Sequence, residues 1–150
     1  MRALVRRVSK ASVKVEGQIV GQIDQGLLVY LGVHQEDERT DVDWLIQKIL
    51  GLRIFEDEHG KMNLSILPEQ GVLLISQFTL FGNLKKGYRP SFNRAADPKK
   101  GEELFDLFYS KLRILFEGNL ASGVFGADMK IEAIDDGPVT IWIDSQERNY

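Results

Sequence analysis

Two short segments place polar groups where packing alone would not require them. Ser76-Gln77-Phe78-Thr79-Leu80 closes the apolar run Gly71-Val72-Leu73-Leu74-Ile75 with two hydroxyls and an amide. Asp136-Gly137-Pro138-Val139-Thr140 sets a Gly-Pro pair ahead of a hydrophobic stretch. Each also has an ordinary reading: a strand fading into a polar loop, and a turn before an edge strand. Other chemistry is sparse. A Ser-His-Asp triad needs an imidazole beside its nucleophile. His34 ends a strand pattern before an acidic loop and His59 lies in a charged turn, so both read as solvated loop residues. The carboxylate pairs Glu56/Glu58 and Asp135/Asp136 read as turn and surface residues. No Walker loop, GxGxxG turn or HExxH helix is present. With 0 Cys, disulfides, thiolate metal sites and cysteine nucleophiles are excluded.

Charge is unevenly distributed. Residues 1–14 carry Arg2, Arg6, Arg7, Lys10 and Lys14 with no acid, and residues 85–100 carry Lys85, Lys86, Arg89, Arg94, Lys99 and Lys100 against Asp97 alone. The whole chain is nevertheless acidic, at net charge -3. That excludes a polycation that coats nucleic acid. It leaves two readings of the basic clusters: a local grip on a phosphate backbone, or ordinary solvated loops.

The elements that must position these groups fit one domain. The chain has 150 residues, 43% hydrophobic and 27% charged, enough to bury a core without staples. No apolar run approaches a membrane span, and the N-terminus lacks an apolar signal region, so a soluble cytoplasmic protein is expected. Val13 and Val15 alternate with polar residues, and Gln18 to Ile23 follows across Glu16-Gly17. Gly26 to Val33 is almost continuously apolar, which predicts a strand buried on both faces and an antiparallel meander with its predecessors. Thr40 is placed to cap a first helix whose inner face is Trp44, Leu45, Lys48, Ile49 and Leu52. A second buried strand starts at Gly71 and is expected to continue through Leu80. Residues 82–98 read as a long functional loop. Pro98 opens a second helix to about Glu117, with a stripe of Leu104, Phe105, Phe108, Leu112 and Leu115. Two last strands, 127–134 and 139–144, flank a turn at Asp135-Asp136-Gly137-Pro138. This order predicts an α+β domain with a mostly antiparallel or mixed sheet.

The two motifs are where the chain becomes specific. It closely resembles the D-aminoacyl-tRNA deacylases, also called D-tyrosyl-tRNA deacylases, whose hallmarks are SQFTL and NxGPxT. SQFTL is intact at Ser76 to Leu80; the second motif stands at Asp135 to Thr140, with Asp135 where the family usually has Asn. The opening Met1-Arg2-Ala3, Val8 to Val13, Lys61 to Ser65, Lys86 to Phe92 and Gly123 to Met129 follow the family's order along the chain. The resemblance implies a barrel-like sheet in a homodimer without metal or cofactor. It implies hydrolysis of the ester between a D-amino acid and the terminal adenosine of tRNA, and of glycine mischarged on tRNA. Gly137-Pro138 would be a cis pair reaching into the partner subunit's site, and Thr79 the active-site threonine beside Ser76, Gln77 and Phe78. Lys85, Lys86 and Arg89, with Arg7 as a further candidate, would hold acceptor-stem phosphates. Neither DNA nor membrane is an expected partner.

That chemistry suits these residues. The implied substrate is an activated ester with a ribose hydroxyl beside it, so positioned water suffices and no strong nucleophile is required. Backbone N–H groups near Gln77 and Phe78 would form an oxyanion hole, where one donor is worth about 3 kcal/mol. The Thr79 hydroxyl would orient water or ribose, and the ribose 2′-hydroxyl would help to activate the water. Handedness is harder, because L and D groups carry the same atoms. Rejecting L-aminoacyl groups 10⁴-fold takes about 5.5 kcal/mol, which calls for a wall of fixed backbone; Gly137, without a Cβ, lets backbone approach closely. Two other readings stay open: a module that binds charged tRNA without catalysis, and a structural partner protein with a coincidental strand-turn pattern.

Overall fold

The computed structural model describes residues 1–149. Eight strands and two helices follow in the order β1 (Arg2–Val15), β2 (Gln18–Ile23), β3 (Gly26–Gly32), α1 (Arg39–Leu50), β4 (Phe55–Glu56), β5 (Met62–Leu64), β6 (Gly71–Ser76), α2 (Pro98–Leu115), β7 (Asn119–Ser122) and β8 (Lys130–Asp144). The first strand is longer than its alternating tail suggested. It pairs with β3 through Arg2–Val8 and with β2 through Ala11–Val15, while β8 runs antiparallel along its other edge from Arg2 to Lys14. The expected meander is therefore corrected: β3 returns to β1, not to β2. A 14-residue strand is long enough to serve two neighbours end to end.

Beyond β3 the sheet turns parallel, with β6 beside β3 and β7 beside β6. The sheet is mixed, and it nearly closes. The Asn119 amide of β7 donates to the Gln22 carbonyl of β2 at 3.2 Å, and a Cβ on Gly21 would stand 2.7 Å from the Ser122 carbonyl. Curling the sheet separates two apolar layers. Leu27, Val29, Leu31, Val72 and Leu74 join the helices, while Leu28, Leu73 and Ile75 face inward with Val8, Val13 and Ile23. Burial on both faces is what the unbroken apolar runs of β3 and β6 require.

The helices cover the outer layer. Asp97 caps α2 by accepting from the Lys100 N–H at 3.0 Å, with Pro98 at the first helical position. Its buried stripe is Leu104, Phe105, Phe108 and Leu112, but Leu115 is exposed and Phe116, just past the helix, fills the core instead. In α1 the cap is Glu38 rather than Thr40, and the Glu38 N–H bonds the Asp41 carboxylate at 2.9 Å. Val42, Leu45, Ile46 and Ile49 form its buried face; Lys48 is outside, its ammonium 5.4 Å from the Trp44 ring. The final pair of strands is one strand, and β7 is an element that sequence patterning did not yield.

Close contact of β3 with β6 begins at two glycines. A Cβ on Gly26 would lie 1.9 Å from the Gly71 carbonyl oxygen, with backbone and no flexible side chain to yield. Gly26→Ala should lower unfolding free energy by at least the ~1–3 kcal/mol usual for overpacking, read as a shift in the urea midpoint; an unshifted midpoint would contradict this contact.

Candidate active site

The SQFTL segment does not extend β6. The Gln77 N–H makes a last bond to the Leu31 carbonyl at 2.7 Å, the backbone then leaves the strand, and Phe78–Phe81 forms one 3-10 turn. This corrects the expected oxyanion donors. The Gln77 N–H is occupied, whereas the Phe78 and Thr79 N–H groups open the turn, where helical donors have no partner within the turn. The Gln77 side-chain amide donates to the Thr79 hydroxyl oxygen, leaving that hydroxyl's own proton to be donated. Ser76 and Gln77 are half-buried; Phe78 and Thr79 are exposed.

The turn is held from behind. Arg2 donates to the Leu80 carbonyl at 2.9 Å and to Asp144 at 2.8 Å, with its guanidinium 4.6 Å from the Phe81 ring centroid. Phe81 also meets His34, 5.2 Å away between ring centroids. His34 is buried, against the expectation of a solvated loop: its backbone bridges to Ala95, and its Nδ1 accepts from the Glu36 N–H at 3.1 Å. His59 is exposed beside Glu58. In front of the turn lies a cavity of about 570 Å³ lined by Ser76, Gln77, Phe78, Phe92, Phe125 and Met129, among others. Phe92 meets Phe78 edge to face at 5.0 Å. Sequence reasoning misses Phe125 and Met129, whose apolar side chains carry no reactive group; Gly123 and Gly126, on either side of Phe125, are the available clue.

Gly137 and Pro138 do not line this cavity. They sit in a bulge of β8, where Thr140 faces Arg6 and Asp135 faces Val8, so that β8 loops outward between these two positions. Their peptide bond is cis, Gly137 has φ +128°, and both residues are exposed. Arg7 anchors the bulge from beneath. Its buried guanidinium donates to the Asp136 carbonyl at 3.1 Å and the Ile54 carbonyl at 2.5 Å, and lies 3.3 Å from the Asp136 carboxylate. Arg7 is therefore removed from the phosphate-binding set, because its donors are turned inward. Asp135, at the departure from the family motif, takes a two-point ion pair with Arg6 at 2.9 and 2.8 Å. Lys85, Lys86 and Arg89 are exposed in the loop that ends at Phe92, and none of the three is in an ion pair among the described residues. The structure thus joins Ser76, Gln77 and Phe78 at one cleft, with Thr79 on the same turn and the basic loop beyond it, and leaves Gly137-Pro138 apart.

Fold and cleft define a small α+β enzyme whose site opens where a parallel strand ends. Residues 4–144 match the family described as D-Tyr-tRNA(Tyr) deacylase. The D-aminoacyl-tRNA deacylase of Kosmotoga olearia is 54% identical over 99% of both chains. That of Koribacter versatilis is 52% identical over 98% of this chain and 99% of its own. The chain belongs to the D-aminoacyl-tRNA deacylase family. Among solved structures, the c-Myc DNA unwinding element binding protein aligns with a TM-score of 0.89 at 38% identity, over 96% of this chain and 98% of its own. A probable eukaryotic D-amino acid tRNA deacylase shares the fold, with a TM-score of 0.78 at 18% identity over 95% and 97% of the two chains. Among the described residues, no helix is long and apolar enough to cross a membrane.

The hydrogen bonds from Arg6 hold the Asp135 carboxyl below its ordinary range. A depressed carboxyl stabilises the fold fully above its unfolded value and loses that contribution as pH falls through the folded one. Asp135→Asn should accordingly flatten the acid side of the stability profile below about pH 4. Because the pair is exposed, the change at pH 7 should stay within about 1 kcal/mol. Urea unfolding at pH 7 and pH 3 measures both, and an unaltered acid profile would exclude the pair as a contributor.

Proposed function

We propose that this protein hydrolyses the ester between a D-amino acid and the 3′-terminal adenosine of tRNA in the cytoplasm, using residues 1–150 as one catalytic domain. The observation that carries this reading is the Ser76–Leu80 turn at the cavity mouth, with the Phe78 N–H at its open end and the Thr79 hydroxyl beside it. Family membership over nearly the whole chain supports the same reaction. Water attacks the acyl carbon, and the carbonyl oxygen gains charge facing the Phe78 N–H. The bond to the ribose 3′-oxygen then breaks. That oxygen leaves as the alcohol with a proton from the water, and the amino acid departs as the free acid. One preorganised N–H donor in such a role is worth about 3 kcal/mol. The Thr79 hydroxyl, steered by Gln77, orients the water or the ribose. The basic loop with Lys85, Lys86 and Arg89 holds phosphates without reading sequence, as an enzyme for many tRNAs needs.

Chirality is screened, in this reading, by the Gly137-Pro138 bulge of a second copy. Within one chain the two motifs lie apart along β1. Arg2 holds the SQFTL turn and Arg7 holds the bulge, and five strand residues span about 17 Å. Phe78 and Thr79 are exposed on one and Gly137 and Pro138 on the other, so a twofold pairing lets each copy insert its bulge into the other's cavity. Backbone placed there leaves no room for an L side chain, while glycine, having none, passes. A module that only binds charged tRNA would have no use for such a wall.

Purified protein should release tyrosine from D-tyrosyl-tRNA and glycine from glycyl-tRNA while L-tyrosyl-tRNA persists. Equal loss of D and L esters would refute the wall, and no loss of any would refute the hydrolase. Gly137→Ala should inactivate, since its Cβ would come 2.9 Å from Val139 Cγ2 and 3.0 Å from the Val139 nitrogen at a φ unsuited to alanine. Phe78→Pro, lacking the N–H, should inactivate as well. Unfolded together and refolded as a mixture, the two should regain activity at roughly a quarter of the sites, because a mixed dimer has one intact site. Absence of rescue would count against a site shared between subunits.

A further inference from the structure

The loop that carries Lys85, Lys86 and Arg89 also carries a side chain that the reaction does not use. Tyr88 is exposed over 103% of its reference surface, the most exposed of the large apolar or aromatic side chains among the described residues. A single exposed tyrosine means little by itself; three features around this one give it meaning. The loop is organised at its base, where Asn83 and Ser91 exchange N–H to carbonyl bonds at 2.8 and 2.9 Å. It is organised at its tip, where the Gly87 N–H bonds the Leu84 carbonyl at 3.2 Å and the Lys85 N–H bonds the Asn83 side chain at 2.8 Å. Gly87, at φ +116°, takes the left-handed turn that delivers Tyr88. The ring is therefore presented to solvent by a braced hairpin.

The second feature is charge. From Asn83 to Arg94 the loop holds Lys85, Lys86, Arg89 and Arg94 and no acidic residue. The third is position. Tyr88 stands four residues from Phe92, at most about 14 Å of chain, and Phe92 contacts Phe78 at the cavity mouth. An aromatic ring among unpaired cations, one short step from the cleft, matches the surface that binds single-stranded nucleic acid: phosphates pair with the cations and a base stacks on the ring.

We propose that Tyr88 is a stacking platform for a base of the unpaired 3′ end of tRNA, one of the nucleotides just before the terminal adenosine. This rests on the deacylase reading above for the identity of the RNA, and it adds a binding subsite outside the reaction cavity. Stacking is tolerant of sequence, since every base offers a π face. The phosphates between this base and the adenosine would run past Lys85, Lys86 and Arg89.

The experiment compares the full-length wild type with Tyr88→Ala and Tyr88→Phe. The probes are unacylated tRNA and the same tRNA trimmed of its unpaired 3′ nucleotides, with binding read by fluorescence anisotropy at fixed salt. Tyr88→Ala should weaken binding of intact tRNA roughly 5- to 100-fold and leave the trimmed tRNA unchanged, and Tyr88→Phe should keep wild-type affinity for both. Unchanged affinity for intact tRNA, or equal weakening on both RNAs, would overturn the proposal. So would Tyr88-dependent binding to anionic phospholipid vesicles without Tyr88-dependent binding to tRNA. Hydrolysis of 3′-O-(D-tyrosyl)adenosine, which lacks the stacked nucleotide, should be equal in wild type and Tyr88→Ala; a loss there would place Tyr88 in the reaction cavity and overturn the subsite. Failure of the wild type to cleave D-tyrosyl-tRNA would sink the deacylase reading, while the anisotropy comparison would still decide the role of Tyr88.

Discussion

Both motifs, the SQFTL turn and the Gly137-Pro138 bulge, are held from one strand. Along one edge β1 pairs with β3 and then β2, and along the other it pairs with β8 for nearly its whole length. Three of its arginines convert that pairing into site geometry. Arg2 reaches the SQFTL turn, Arg6 pairs with Asp135, and Arg7 holds the bulge that carries Gly137 and Pro138. The strand is thus a rigid spacer, with the SQFTL turn tied at its first residue and the bulge tied near its middle. Of the three contacts, the one at Arg7 is the most exacting, because a buried guanidinium must have its donors met. Carbonyls of Asp136 and Ile54, from separate parts of the chain, meet them.

The cleft depends on the same economy of backbone. A parallel strand ends at Ser76, its last ladder bond is taken by the Gln77 N–H, and the next two donors open a 3-10 turn, where they have no partner within the turn. Buried His34 and half-buried Arg2 fix the back of the turn through Phe81. The front is left to Phe78, Phe92, Phe125 and Met129, an apolar enclosure around few polar groups. Such an enclosure raises the value of each donor aimed into it, since water is displaced.

Local patterning located most elements but misjudged how they join. The continuous apolar run of β3 correctly implied two buried faces, because each face meets its own core layer. The polar end of β6 read as more strand, since a pentapeptide with an aromatic and a β-branched residue has strand propensity; pairing with Leu31 stops at Gln77, and propensity then yields to the turn. Gly137 and Pro138 read as a chain reversal. They are a bulge because β1 lies alongside on both sides of them and keeps β8 on one course. Leu115 and Phe116 exchanged places for a related reason: helical periodicity ends at Leu115, and the next residue is carried inward. Strand β7, four residues with one buried side chain, carried too weak an alternation to be found.

By itself the sequence determined the residue types that chemistry can use, the absence of thiols, the two-faced strands, the amphipathic second helix and the motifs that carry the family resemblance. These are properties of composition and short-range periodicity, and they survive in any arrangement of the chain. Only the tertiary structure decided which arginine is buried and which cations have no ion pair among the described residues, that His34 is a packed residue, and that two motifs separated by about sixty residues are held apart by one strand. Burial and separation are relations between distant segments, and they come into being when the sheet curls and the arginines of the first half of β1 are tied down.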